Sequence, residues 1–214
     1  MIKALVFDFD GLILDTETPI IDAWVALHHE AGIQYTRADA SRIVGHVDLP
    51  FDPWHAFDPA ADRAALEQEH KRRTRLMVER QPVLPGIEAC LREAGSRGLQ
   101  LAIASNSTHA WVDRHLQRLG LYSYFNVIRC RDDVARGKPE PELYLSVLAA
   151  LNLQGPEAIA FEDSTPGSVA AKRAGLRCVA IPNPSTTDHD FSHVDLILGA
   201  LSETTLDALL SRWS

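Results

Sequence analysis

Two carboxylates one residue apart, Asp8 and Asp10, close the apolar run that begins at Ala4. A strand places residues two apart on the same side, so the pair points one way. Further along, "LAIASNS" ends an apolar run in Ser105 and Asn106, and "AIAFEDS" ends another in Glu162, Asp163 and Ser164. Between them lies "GKPEPE", with Lys138 after Gly137. Two carboxylates about 4 Å apart repel by roughly 4 kcal/mol at an effective dielectric near 20. A divalent cation removes that repulsion. Oxygen donors without thiolates suit Mg²⁺, which keeps several waters and often bridges to a substrate phosphate. Lys138 adds positive charge, and Ser105 with the N–H groups of the following helix start can hold an anion. The chemistry available is therefore phosphate handling.

These residues need a scaffold that brings strand ends together. Short β-leaning runs recur at Ala4–Phe9, Leu101–Ala104, Asn126–Ile128, Ala158–Phe161, Cys178–Ile181 and Leu196–Leu198. From Leu101 onward helical patterns alternate with them. "THAWVDRHLQRLG" repeats apolar residues at Trp111, Leu116 and Leu119 and stops at Gly120; "TPGSVAAKRAG" offers Thr165 as N-cap, Pro166 at the first helical position and Gly175 as terminator. Runs apolar on both faces and alternating with helices predict an α/β fold, a Rossmann-like parallel sheet covered on both sides. Ligands of such sheets sit beyond the C-terminal strand ends, where the acids and hydroxyls collect.

The first strand breaks the rhythm. Between Phe9 and Leu101 the patterns are helical: from Thr18-Pro19 to Gly32, at Ala38–Val44, and a polar stretch from Pro59 to Arg80. This predicts an inserted α-helical cap domain at 16–81, with the catalytic core formed by 1–15 and 82–214. Prolines in "RQPVLPG" mark the return, followed by a helix from Gly86 to Arg97.

Bulk properties limit the alternatives. With 214 residues, 46% hydrophobic and 23% charged, the chain has the composition of a globular protein. A net charge of −8 disfavours nucleic acid, and the basic run "KRRTR" (Lys71 to Arg75) reads as a solvated helix face. Cys90, Cys130 and Cys178 form no CxxC pair, and no histidine spacing suggests a metal site. No apolar run spans a bilayer, so the expectation is a cytoplasmic monomer without membrane or nucleic-acid partners.

Four segments in order, "DFDGLILDTE", "IASNS", "GKPEPELY" and "FEDSTPG", resemble the haloacid dehalogenase superfamily, in its phosphatase and β-phosphoglucomutase-like branch with a helical cap. The resemblance spans nearly the whole chain and displaces the simpler view of Asp10-Gly11 as a hairpin turn. It implies roles residue by residue. Asp8 is the nucleophile that becomes a phospho-aspartate, and Asp10 the general acid and then base. Ser105, Asn106 and Lys138 hold the substrate phosphate. Asp8, the backbone carbonyl of Asp10, and Asp163 ligate Mg²⁺, with Glu162 a further ligand or an outer acid. The substrate is a small phosphorylated metabolite.

Three other readings are weighed against this one. In the resembling dehalogenases the position of Asp10 is not an acid. The resembling sugar-phosphate mutases carry a histidine where this chain has Ile20, and an arginine that "GHVDLPF" (Gly45 to Phe51) lacks. A non-catalytic binding protein on the same fold remains the third. In the cap, His46, Asp48, Trp54 and His55 stand equally as specificity residues or as packing and surface residues.

Overall fold

The computed structural model describes residues 1–42 and 51–213. In chain order the elements are β1 (Ala4–Phe7), α1 (Glu17–Glu30), α2 (Arg37–Ser41), α3 (Arg63–Val78), α4 (Ile87–Ser96), β2 (Gln100–Ala104), α5 (His109–Arg118), β3 (Val127–Arg129), α6 (Glu142–Leu151), β4 (Ala158–Glu162), α7 (Thr165–Arg173), β5 (Arg177–Ala180), β6 (Leu196–Ile197) and α8 (Leu206–Ser211). The chain divides into two compact units, Met1–Leu14 with Pro82–Ser214, and Asp15–Gln81. None of the described helices is long and apolar enough to cross a membrane.

The first unit contains the expected parallel sheet, six strands in the order β3-β2-β1-β4-β5-β6. The inner strands β1, β2, β4 and β5 are buried along most of their length because their side chains there are mostly small or apolar, whereas the edge strands β3 and β6 are half-buried to exposed. On one face Ala4, Val6, Ala102, Ala104, Ala158, Ala160 and Cys178 form a low surface, against which Leu143, Tyr144 and Val147 of α6 and Ala170 and Ala171 of α7 pack. Phe7 stacks on Phe161 at 4.8 Å and meets Phe125 edge-on at 6.3 Å. Register aligns the strand ends: Phe7 pairs with Ile103 on one side and Phe161 on the other. Asp8, Ala104 and Glu162 therefore leave the sheet at the same level, and Ser105 and Asp163 follow one residue later. This is how a one-dimensional pattern becomes a single rim.

Several boundaries differ from the sequence expectation. β1 stops at Phe7 rather than Phe9. The Asp8 N–H still reaches the Phe161 carbonyl at 3.0 Å, but Ile13 and Leu14 N–H groups then fold back on the Phe9 carbonyl. A tight turn follows Asp10, with Gly11 at φ +75°, so the hairpin-like signal of Asp-Gly and the catalytic signal are both present in one loop. The N-cap of α7 is Ser164, not Thr165: its side chain accepts from the Gly167 N–H, which puts Pro166 at the second helical position. Gly120 and Gly175 lie just past α5 and α7 at φ +71° and +84°, where a left-handed residue ends the helix.

The second unit is helical. α3 begins at Arg63 rather than Pro59, because Asp62 caps it by accepting from the Ala65 N–H at 3.1 Å. Within α3 the basic run is largely neutralised: Arg72 and Arg73 both hold Glu69, Arg73 also holds Glu30, and Arg75 pairs with Glu79. The unit's core is aromatic, with Trp24, Tyr35 and Trp54 buried beside Ile21 and Leu27. Trp54 lies 4.3 Å from Trp24 and 5.3 Å from Phe57 between ring centroids. That placement gives Trp54 a packing role. His55 is exposed and bonds the Asp52 carbonyl through Nδ1. His46 and Asp48, like Val44 and most of "GHVDLPF", lie outside the described residues. Trp54→Ala is expected to destabilise the protein by about 3–5 kcal/mol through loss of buried aromatic surface and the resulting cavity. Urea unfolding followed by tryptophan fluorescence and circular dichroism measures this; an unchanged midpoint would contradict the packing role.

Candidate active site

At the centre of the rim is a buried lysine between two buried acids. Lys138 Nζ lies 2.8 Å from Asp8 Oδ1 and 2.6 Å from Glu162 Oε1. Its side chain is 3% exposed and that of Glu162 is 0%, so water screens this triad little. Burial works to lower the Lys138 pKa, but the charges and hydrogen bonds of Asp8 and Glu162 outweigh it and hold the ammonium protonated. Burial raises the pKa of both acids, and Lys138 opposes the rise. The Tyr144 hydroxyl also donates to Glu162 Oε1, and burial keeps that phenol protonated.

The loop after β3 presents the lysine, and Asn106 holds that loop. The Lys138 N–H donates to Asn106 Oδ1 at 2.8 Å, and Asn106 Nδ2 donates to the Lys138 carbonyl at 3.1 Å. Both ends of the amide are thus engaged with the backbone of Lys138. Asn106, expected from the sequence to hold phosphate, has its side-chain amide committed to the loop that carries Lys138. Gly137 is required for this fit, because a Cβ there would lie 2.4 Å from Asn106 Oδ1. Ser105 is buried and accepts from the Ser107 N–H at 3.0 Å, which shapes the turn between β2 and α5.

Asp8, Glu162 and Asp163 offer carboxylate oxygens within 4.8 Å of one another. Asp163 comes from the loop after β4, and Asn183, beyond β5, donates to its Oδ2 at 2.7 Å. Gly11 completes the enclosure: a Cβ at Gly11 would stand 2.2 Å from Asp163 Oδ2. Glu162 is equally confined, since a Cβ at Gly167 would fall 1.9 Å from its Oε2. That oxygen has no hydrogen-bond partner among the described residues.

Asp10 is held differently. Ser107 Oγ donates to its Oδ2 at 2.6 Å, and Trp111 Nε1 donates to its Oδ1 at 2.9 Å. Of the residues anticipated from sequence, Asp8, Lys138, Glu162 and Asp163 converge on one cluster, with Asp10 beside Asp8. Tyr144, Trp111 and Asn183 were missed as site residues. Trp111 and Tyr144 occur where helical apolar residues are expected, and Asn183 sits among turn residues in "PNPS", so neither composition nor spacing set them apart.

The arrangement can do one kind of chemistry well. It offers a carboxylate nucleophile beside a fixed cation, a second carboxylate within reach for proton transfer, and an oxygen-rich pocket for a hard metal ion.

Comparison with known proteins agrees with that chemistry. The model of the family described as haloacid dehalogenase-like hydrolase matches residues 5–181. YhcW of Bacillus subtilis (strain 168) is 39% identical over 219 residues, covering 99% of this chain and 98% of its own. The phosphorylated carbohydrates phosphatase of Thermotoga maritima is 33% identical over 178 residues, covering 81% of this chain and 82% of its own. The crystal structure of CbbY from Rhodobacter sphaeroides in complex with phosphate superimposes with a TM-score of 0.71 at 29% identity, covering 95% of this chain and 96% of that one. With the four sequence segments brought to one sheet rim and the family match across most of the chain, the protein belongs to the haloacid dehalogenase-like hydrolases and is a phosphatase of that family.

Proposed function

We propose that this phosphatase hydrolyses the monoester of a small phosphorylated metabolite, a sugar or polyol phosphate, in two steps through a phospho-aspartate on Asp8. The observation that carries this is the Asp8–Lys138 contact at 2.8 Å on the C-terminal rim, with Asp10 two residues away. In the first step Asp8 attacks phosphorus. The bond from phosphorus to the ester oxygen breaks, and Asp10 gives its proton to the departing alkoxide. In the second step Asp10 takes a proton from water, the water oxygen attacks phosphorus, and the bond to Asp8 breaks. Inorganic phosphate leaves, and both acids return to their starting states. Lys138 orients Asp8 and draws off charge that develops on the phosphoryl oxygens. Ser105, buried on the same rim, provides a hydroxyl donor for the same oxygens.

The residues present fit a magnesium ion. The donor set is all oxygen, and three buried acids, Asp8, Glu162 and Asp163, face a single buried cation, Lys138. Asp8 and Asp163 would hold Mg²⁺ together with the Asp10 backbone carbonyl, and the ion when bound supplies charge neutralisation between nucleophile and phosphate. Glu162 acts through Lys138 and Tyr144, which already occupy its Oε1. Asn183 fixes the face of Asp163 through its Oδ2.

Hydrolysis is preferred to the mutase reaction because of Ile20. In the second unit Ile20 packs against the aromatic core, and its carbonyl takes the His70 Nε2 hydrogen bond at 3.2 Å. It is an apolar packing residue and supplies no side-chain proton donor or acceptor.

Asp8→Asn is expected to lower kcat by about 10³-fold or more while the melting temperature is kept, because the amide preserves the shape but cannot attack phosphorus. Clean protein that retains more than about a few per cent of wild-type turnover would remove Asp8 from the nucleophile's role. Asp163→Asn is expected to raise the Mg²⁺ concentration for half-maximal activity by about tenfold or more, and EDTA to silence the wild type reversibly. An unchanged Mg²⁺ requirement would show that Asp163 is not a ligand. With β-glucose 1-phosphate and catalytic glucose 1,6-bisphosphate, released phosphate should exceed glucose 6-phosphate; the reverse would favour the mutase.

A further inference from the structure

The two hydrogen bonds on Asp10 come from donors of different kinds. An indole N–H only donates, whereas a serine hydroxyl donates or accepts and rotates to suit its partner. While Trp111 Nε1 bonds Oδ1 at 2.9 Å, that oxygen must present a lone pair. A proton carried by Asp10 is then favoured on Oδ2, because a carboxyl OH oxygen accepts more weakly than its carbonyl oxygen. The neighbour of Oδ2 is Ser107 Oγ at 2.6 Å, which can turn from donor to acceptor when the proton arrives.

We infer that Trp111 and Ser107 are positioning residues that assign the transferable proton of Asp10 to Oδ2: the indole keeps Oδ1 a permanent acceptor, and the serine switches its hydroxyl with each transfer. The inference rests on Asp10 being the acid and base of the proposed reaction. An acid with two free oxygens can hold its proton on either. Fixing the choice makes the protonated carboxyl ready for transfer whenever it forms.

The surrounding structure holds the indole in place. Ser107 immediately precedes the N-cap, and Trp111 lies in the first turn of α5, so one junction supplies both donors. The start of that helix is fixed by Asp132, which accepts from the His109 N–H at 3.1 Å, and by the His109 ring, which bridges Asp113 and Asp133. One turn on, the His115 ring meets the Trp111 ring edge-on at 4.3 Å between centroids. The rotamer of Trp111 is thereby set by packing, and its N–H is aimed at Asp10 without further ordering cost.

The test measures kcat/KM, which reports phosphoryl transfer to Asp8, across phenyl phosphates of graded leaving-group pKa and one alkyl phosphate. A phenol such as p-nitrophenol departs with little help from an acid; an alcohol does not. Trp111→Phe should lower the ratio of alkyl to p-nitrophenyl kcat/KM by about tenfold or more and steepen the dependence on leaving-group pKa. Replacement of Trp111 by its benzothiophene isostere, with sulfur in place of N–H, keeps the ring's shape and should reproduce the loss, which covers the case in which Trp111→Phe folds poorly. Ser107→Ala should shift the same ratio in the same direction. If Trp111→Phe and the isostere reduce all esters equally, or leave the ratio at its wild-type value, the indole does not act through Asp10 and the inference is overturned. That result would leave the two-step reaction standing. The reaction itself fails separately, if wild-type protein cleaves no ester or Asp8→Asn stays active.

Discussion

The ammonium of Lys138, enclosed between Asp8 and Glu162, is the interaction on which the site depends. Two carboxylates taken from water at the end of a parallel sheet would each favour protonation. One protonated lysine bonded to both opposes that protonation and fixes the direction of each acid. Removing one partner of such a buried group leaves an uncompensated charge, which is why its supports are numerous. Asn106 clasps the backbone on both sides of the lysine, and Tyr144 occupies the acid on its far side. They exist so that one nitrogen stays where two oxygens need it.

Close approach then dictates where glycine must stand. Gly11, Gly137 and Gly167 each face a site side chain across a gap that no Cβ could fill. Only Gly11 also needs a positive φ. For the other two the constraint is space: a methyl group would displace Asn106 from Lys138, or push Glu162 out of its pocket. Backbone therefore packs directly against the buried acids and their supports, which sets the cluster in surroundings of low polarity. Asn183 from the loop after β5 and Trp111 from the first turn of α5 act by the same logic, each fixing the orientation of one acid through a single N–H donor.

The helical unit is stabilised by different means. Its core is a set of aromatic rings around Trp24 and Trp54, with His28 stacked on Tyr35 at 3.8 Å, and its surface helix α3 is held by arginine–glutamate pairs. Such exposed pairs contribute little individually. The ring cluster provides most of the burial. A basic run that would invite an anionic polymer is instead paired internally, in keeping with the net charge of −8.

The amino-acid sequence by itself determined the parallel α/β class, the helical stretch between the first and second strands, and the identity of the acids and the lysine that end on the rim. Those features follow from local rules: apolar runs of strand length, proline and glycine punctuation, and chemistry concentrated at strand ends. Boundaries slipped by a few residues where a side-chain cap decided the start, as Asp62 does for α3 and Ser164 for α7. Tertiary structure alone decided the partners. The Asn106 side chain clasps the backbone of Lys138, a contact between residues 32 apart that forms only once β2 and β3 pair. Trp111 reads as part of an apolar stripe, yet its N–H reaches an acid 101 residues away. Periodicity records which face of a helix is buried. It carries no information on which polar atom of a buried ring will find a partner, since that depends on loops converging from separate strands.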